Sequence, residues 1–463
     1  MVERPNSAAA LDIASHLHPY TNARKHETEG PMVITEGKGV FVYDDQGKEY
    51  IEGLAGLWST ALGFGEERLI KAATDQMRKL PYYHNFAHKA AMPTIDLAAK
   101  LLEIAPVPMS KVFFANSGSE ANDSVMKMVW YYNNARGRPD KKKIISRIKG
   151  YHGVTVATAS LTGLPYNHRD FDLPIANILH TSCPHHYRFG QDGESEEDFA
   201  TRCAAELEQL ILDEGPETIA AFIGEPVMGA GGVIVPPRTY WAKIQAVLEK
   251  YDVLLIGDEV ICGFGRTGNL FGCQTYGIKP DIITVAKALS SSYLPISAVL
   301  ISDPVYQTIA DNSAKIGTFG HGYTYSGHPV PAAVALETLK IYEERDIVGH
   351  VRQVGPRLQE GLRRYADHPM VGEVRGVGLI AAVELVADCA SKTAFDPPGR
   401  VGGYFAGRAE AHGLIIRNLM DSIAFCPPLI ITEEQIDSLV ERFGRALDDT
   451  ASWVEHEGLA SVA

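Results

Sequence analysis

Paired cysteines are missing from this chain. Its 463 residues include six, Cys183, Cys203, Cys262, Cys273, Cys389 and Cys426, scattered and without CxxC spacing. That pattern excludes a disulfide framework and cysteine-based zinc modules, and leaves reduced core or site-lining thiols. Positive charge is also short: 43 Lys and Arg stand against 57 Asp and Glu, a formal net charge of -14, which repels nucleic acid and anionic membrane alike. No apolar run approaches membrane-spanning length, and the opening MVERPNSAAALDIASHLHPY has no basic stretch followed by an apolar one. A soluble, cytoplasmic protein is the expectation. There is no internal repeat, no low-complexity tract and no GxSxG elbow. The first ten and last eight residues are expected to fray.

What is present is a chain long enough for two or more cores. From about residue 112 to 301 the β-rich runs KVFFA, KIISRI, IAAFIGEP, VLLIGDE, DIITVAK and ISAVLI alternate with longer, partly helical segments. This predicts an α/β fold with a mainly parallel sheet. After Gly118 a helical stripe runs through Ala121, Val125, Met128, Val129 and Tyr132, and Ser117 with Glu120 has capping-box spacing. GVFVYDDQGKEYIEG reads as a hairpin. Beyond residue 330 come helices over about 330–345 and 349–366, the strand-like MVGEVRGVGLIAAVEL, and a last helix opened by Thr432 and Gln435. The expected division is an N-terminal segment 1–65 joining a small domain, a large domain 66–330, and a C-terminal small domain 331–463.

Gly263, Gly265 and Gly268 satisfy the dinucleotide pattern G-x-G-x-x-G. The pattern has a mechanism only where its first glycine ends a strand and its last opens a helix. Here the strand ends near Gly257 and NLFGCQTYG has no helical stripe, so a glycine-rich loop is the better reading. His84 with His88, and His185 with His186, have no accompanying acid or third ligand, and no metal is expected. DGESEEDF reads as a solvated helix start.

Asp258 and Lys287 fall at the ends of two predicted strands that can face one crevice. A lysine among apolar neighbours loses solvation of its charged form, so its pKa falls from about 10.4 and its amine becomes a nucleophile for carbonyls. Pyridoxal phosphate uses that chemistry: it needs a lysine, an acid on its pyridine nitrogen and an anion site. NSGSE places Ser117, Gly118 and Ser119 at a helix start, where free N–H groups favour an anion. Singly, each has a plainer explanation, a snorkelling lysine, a loop acid and a helix cap; their ordered combination carries the functional reading.

The motifs NSGSEAND, YHG, GEPVMGAGG, GDEVICGFGRTG, AKALSS and GYTYSGHP resemble those of the class III pyridoxal-phosphate aminotransferases of fold type I, most nearly the amine:pyruvate or ω-transaminase branch, in a resemblance that runs over residues 20–448. The resemblance implies a large domain with a mainly parallel sheet flanked by helices plus a smaller α+β domain, and pyridoxal 5'-phosphate as cofactor. It makes Lys287 the cofactor-bearing lysine and proton carrier, Asp258 the partner of the pyridine nitrogen, Tyr151 and Val260 the two ring faces, and Ser117, Gly118 and Ser119 the phosphate site. Glu225 becomes the supporting acid of the GEP motif. Thr324 would reach the phosphate of a neighbouring subunit, whose pocket Tyr323 lines, in a homodimer with shared sites, with a tetramer as the alternative assembly. Arg417 would take the substrate carboxylate, with Trp58 and Tyr20 as aromatic walls. Ala230 stands where 2-oxoglutarate-using relatives carry glutamate, which favours pyruvate. Ala288 and Ser292 depart from the glycines of close relatives. The implied reaction is a ping-pong transfer from a primary amine or ω-amino acid to pyruvate. Alternatives are a 2-oxoglutarate acceptor, another reaction of the same cofactor (racemase, decarboxylase, aminomutase), a nicotinamide oxidoreductase on the glycine loop, and a non-enzymatic cofactor-binding regulator.

Overall fold

The computed structural model describes residues 6–459. No helix among them is long and apolar enough to cross a membrane. The strands are β1 (Ile34–Lys38), β2 (Phe41–Asp44), β3 (Glu49–Glu52), β4 (Lys111–Ala115), β5 (Lys143–Arg147), β6 (Ile178–Thr181), β7 (Ile219–Gly224), β8 (Leu254–Asp258), β9 (Ile282–Val285), β10 (Ser297–Ile301), β11 (Val371–Val377), β12 (Ile380–Leu385), β13 (Leu414–Ile415), β14 (Arg417–Leu419) and β15 (Ser422–Phe425).

Seven of them form the central sheet in the order β4-β10-β9-β8-β7-β5-β6. The pairs from β9 to β6 are parallel, and β10 runs antiparallel to both its neighbours. All six β-rich runs named above are strands here; β6, four residues in ILHT, escaped the pattern. The sheet is covered on both faces, so its strands read as unbroken apolar runs. In β7, Ala221 and Ile223 join a cluster with Val125 and Val129 of the helix Gly118–Ala135. Ile219 and Phe222 join a second cluster with Phe199, Leu207 and Trp241. This burial between two apolar layers is the α/β architecture of fold type I.

The remaining sheets tie the ends of the chain together. The hairpin β2–β3 is present as expected, and β3 pairs in parallel with β13, some 360 residues later. β11 and β12 form the hairpin of MVGEVRGVGLIAAVEL, extended by β15 and β14. The last helix, Glu433–His456, opens with a complete capping box of Thr432 and Gln435. It reaches into the last eight residues, and the helix Ala8–Ser15 into the first ten. Residues 1–5 and 460–463 lie outside the described residues.

Two local expectations are corrected. The Ser117 hydroxyl accepts from the N–H of Glu120, but the Glu120 carboxylate reaches past Ser117 to the N–H of Asn116 (2.7 Å), so the box is half made. NLFGCQTYG does contain one helical turn, Gly272–Tyr276. Its N–H of Gly272 is bound by the buried Glu259 carboxylate (2.9 Å), a cap supplied from a distant residue and therefore invisible to local patterning. The turn begins after Gly268 rather than at it, so the dinucleotide geometry is absent.

Candidate active site

β8 and β9 are parallel neighbours whose register pairs Asp258 with Thr284. Asp258 therefore leaves the C-terminal edge of the sheet beside the strand that leads into Lys287, at the crevice where open α/β sheets build their sites. The Asp258 carboxylate is almost fully buried and held from three sides. Its Oδ2 accepts from His152 Nδ1 (2.8 Å) and Asn122 Nδ2 (2.9 Å), and its Oδ1 accepts from the N–H of Val260 (3.1 Å). Oδ1 keeps a lone pair for one more donor.

Lys287 has φ +50, in the left-handed region. A non-glycine residue there is strained by about 1–3 kcal/mol and is retained where surrounding structure dictates it. The surrounding structure does so here: the carbonyl of Ala288 accepts from Tyr342 Oη (2.6 Å), and Ser291 Oγ accepts from the N–H of Leu62 (2.9 Å). The Lys287 amine makes no hydrogen bond or ion pair among the described residues. Burial pushes its pKa down, against the opposing pull of Asp258 and Glu225. Ala288 packs with Leu289 in the main core, so its methyl occupies the core side of the turn. Ser292 is exposed with φ +58.

The anion cradle lies next to this pair. The first-turn N–H groups of Gly118 and Ser119 have no intrahelical partner. Ser119 Oγ accepts from the N–H of Val154 (3.1 Å), which closes the YHG loop over the helix start. Gly153, at φ +133, leaves no room for a methyl: an added Cβ would stand 2.5–2.8 Å from Thr158 Oγ1, Ser119 Oγ and Ser119 Cα. At Gly118 an added Cβ would meet the Val260 methyls at 3.1–3.2 Å. Val260 thus lies between the cradle and Asp258. A free amine, a buried carboxylate with a spare lone pair and an unfilled helix N-terminus are the three attachments that pyridoxal phosphate requires, and the residues present fit that group.

Glu225, at the end of β7, accepts from the N–H of Tyr151 (3.0 Å) and the N–H of Gly229 (3.0 Å). It tethers the Tyr151 loop to the loop carrying Ala230, and burial pushes its own pKa up. Burial and a hydrogen bond with Tyr20 raise the Tyr151 phenol, while Arg417 lowers it. The phenol stays protonated. Tyr20 is fixed in turn by Asn167 Nδ2 (2.6 Å) and an edge contact to Tyr166, 6.2 Å between ring centroids. Arg417 is half-buried in β14, close enough to depress the pKa of Tyr151, Tyr166 and Lys287. Its backbone pairs with β15, and its guanidinium makes no hydrogen bond or ion pair among the described residues. Trp58 is buried, with φ +64, against Val227, Val233, Ile261 and Cys426.

Thr324 and Tyr323 stand apart from this group. Thr324 is exposed and its carbonyl accepts from Tyr82 Oη (2.8 Å). The Tyr323 hydroxyl contacts Ser124 Oγ (3.1 Å) and the carbonyl of Glu120 (3.2 Å), on the side of the Gly118–Ala135 helix. His185, which has no acid beside it in the sequence, meets one in the fold, Glu373 Oε2 at 2.8 Å. The Glu196–Glu214 helix opens with Glu196, Glu197 and Asp198 in its first turn, as DGESEEDF suggested.

Sequence reading did not assign roles to Asn122 and His152, although both sit inside quoted motifs. Their signal was their position within one turn of the cradle and beside Tyr151. It also missed Glu52, buried beneath the Leu54–Trp58 loop, whose carboxylate accepts from the N–H of Leu54 (2.9 Å). Burial raises its pKa from 4.5 to about 7. The folded chain therefore holds this proton more tightly than the unfolded one, and the resulting stability is complete below pH 4.5 and lost as pH rises through about 7. At about 1.4 kcal/mol per unit the effect approaches roughly 3 kcal/mol. Glu52→Gln should gain on the parent in thermal stability as pH is raised from 5 to 8; a constant difference across that range would remove Glu52 as the cause.

Comparison with known proteins agrees with this geometry. The family model "Aminotransferase class-III" matches residues 21–447. A gamma aminobutyrate transaminase 3, chloroplastic, of Solanum lycopersicum is 54% identical over 97% of this chain and 88% of its own length. A thermostable omega transaminase variant from Pseudomonas jessenii superposes with TM-score 0.96 at 64% identity, covering 97% of this chain and all of that one. The omega transaminase from the same organism in complex with PMP superposes equally well, at 64% identity over 97% of this chain and 99% of that one. With its α/β fold, its lysine, acid and anion cradle, and a match across nearly its whole length, the chain belongs to the class III aminotransferases and is a pyridoxal-phosphate-dependent transaminase.

Proposed function

We propose that this enzyme transfers an amino group from a primary amine or ω-amino acid to pyruvate by a ping-pong route. The observation that carries the proposal is Arg417: a half-buried guanidinium with no counter-ion, acting on both Tyr151 and Lys287. A guanidinium so placed awaits a carboxylate, which it binds through two parallel N–H donors. Ala230, on the loop tethered by Glu225, offers no acid to neutralise it. A 4-aminobutyrate-like donor would present its carboxylate to the same arginine.

In this reading Ser117, Gly118, Ser119 and Val154 close around the phosphate, with Ser117 shaping the helix start through its cap. Tyr151 and Val260 would take the two faces of the ring, and Asp258, held in place by Asn122 and His152, would bind its pyridine nitrogen. Bound pyridoxal phosphate supplies an electron-withdrawing ring that stabilises negative charge at the substrate carbon. Lys287 holds the cofactor, and its neutral Nζ takes and returns the proton at that carbon. Trp58 and Tyr20 bound the pocket. Thr324, Tyr323 and the exposed apolar side chains Leu57, Tyr83, Phe86 and Tyr325 support a homodimer with shared sites. The division into 1–65 with 331–463 around a large domain 66–330 belongs to the same proposal and is supported by the pairing of β3 with β13. So does a cytoplasmic location; the plant relatives carry chloroplastic or mitochondrial names, and fractionation of the native cell decides between them.

The test is an absorbance titration of the purified holoenzyme. After conversion to the aminated form with one small amine, pyruvate should restore the original spectrum and yield alanine. Restoration by 2-oxoglutarate alone would replace the acceptor, and no spectral cycle would favour a racemase or decarboxylase. Arg417→Ala should raise KM for pyruvate about 100-fold while leaving KM for an amine without a carboxylate nearly unchanged. An equal rise for both would place Arg417 in the framework of the pocket instead.

A further inference from the structure

Three histidines converge on one aspartate at the N-terminal end of the described chain, outside the site above. Asp12 lies in the helix Ala8–Ser15, His16 and His18 follow that helix, and His26 is in the helix Ala23–Glu29. Asp12 Oδ1 is 3.2 Å from His16 Nδ1, and Oδ2 is 2.7 Å from His18 Nε2 and 3.0 Å from His26 Nε2. The imidazoles pack in series, tilted by about 40° to one another, with centroids 4.1 Å apart between His16 and His18 and 4.2 Å between His18 and His26. His16, His18 and His26 line a cavity of about 240 Å³ open to solvent.

We propose that Asp12, His16 and His18 form a binding site for a divalent transition-metal ion of the zinc, cobalt or nickel kind, with His26 holding the carboxylate in place. The potential ligand atoms of these three residues lie within 4.8 Å of one another. Ligands in a tetrahedral zinc site, with bonds of about 2.0–2.1 Å, are separated by about 3.3 Å, so small side-chain rotations suffice. Imidazole and carboxylate are the donor set these metals take, and two neutral imidazoles with one carboxylate leave a net charge that a divalent cation offsets. The hydrogen bond from His26 to Oδ2 is the outer contact that orients a ligating carboxylate. No lysine or arginine pairs with Asp12 among the described residues. The other convergent group, His185 with Glu373 and Glu384, differs on this point: Arg375 binds both carboxylates and Arg188 binds Glu384, so its charge is already met.

The site bears on the active centre through the chain that follows its last ligand. Tyr20 lies between His18 and His26 and reaches Asn167 and Tyr151. A metal that fixes His16 and His18 to Asp12 fixes the base of that segment.

The experiment uses tag-free holoenzyme titrated with CoCl2, followed by the visible absorption of tetrahedral cobalt and by calorimetry. One equivalent per subunit should bind. His16→Ala changes an exposed side chain, so its folding is not at risk. It should weaken binding at least about 10-fold, and His18→Gln about 100-fold, as expected for loss of a ligand. Binding of undiminished strength in both variants would place the ion elsewhere, and no binding up to about 1 mM would overturn the proposal.

Discussion

Lys287→Ala should lose covalent attachment of the cofactor and about 10⁴-fold or more of the turnover. Two proposed properties of this one side chain are removed together: the amine that would hold the cofactor and the base that would carry the proton. Burial keeps the amine below its ordinary 10.5, so the neutral, proton-accepting form is present at lower pH than for a surface lysine. In the parent, kcat should accordingly rise with pH and level off below 10.5. The substitution also tests the strain at φ +50. Alanine tolerates the left-handed region no better than lysine, so Lys287→Gly separates the effects: it should be at least as stable as Lys287→Ala and equally inactive. Transamination within about tenfold of the parent in either variant would remove Lys287 from the chemistry.

The second large effect is at Asp258. Asp258→Asn should lower kcat about 10² to 10³-fold, the scale of losing one preorganised charged contact in a buried site. The geometry adds a second consequence. His152 Nδ1 and Asn122 Nδ2 both donate to Oδ2, and an amide presents a donor of its own in the same space, leaving an unmet buried group worth about 1–3 kcal/mol. A fall in thermal midpoint should therefore accompany the loss of rate. His152→Gln, which leaves the carboxylate and removes one support, should reduce kcat by about tenfold, with weaker retention of the cofactor on dialysis. If Asp258→Asn retained near-parental kcat, the carboxylate would be structural only.

Much of this was legible in the sequence because it is written locally. An apolar run bounded by turn residues makes a buried strand whatever surrounds it, and six such runs became strands of the central sheet. Thr432 and Gln435 cap a helix through contacts three residues apart, and that box is complete in the fold. The ordered motifs located the lysine, the acid and the anion cradle for the same reason: each is a short segment whose residues act on neighbours in the chain. Failures came where the partner is remote. Glu259 caps a helical turn from 13 residues away. The four residues of β6 are too few to show a period. Asp12, His16, His18 and His26 become one cluster only when two short helices fold back on each other.

The sequence by itself therefore determined the fold class and the family, since these depend on patterning and on ordered short motifs. The tertiary structure decided how those residues are tuned. It joined β8 to β9 so that Asp258 and Lys287 share one edge, brought Asn122 and His152 onto one carboxylate oxygen, buried Glu52 until its proton is held to about pH 7, and left Arg417 without a counter-ion. These are properties of desolvation and of distance between segments far apart in the chain, and both come into being only when the chain packs.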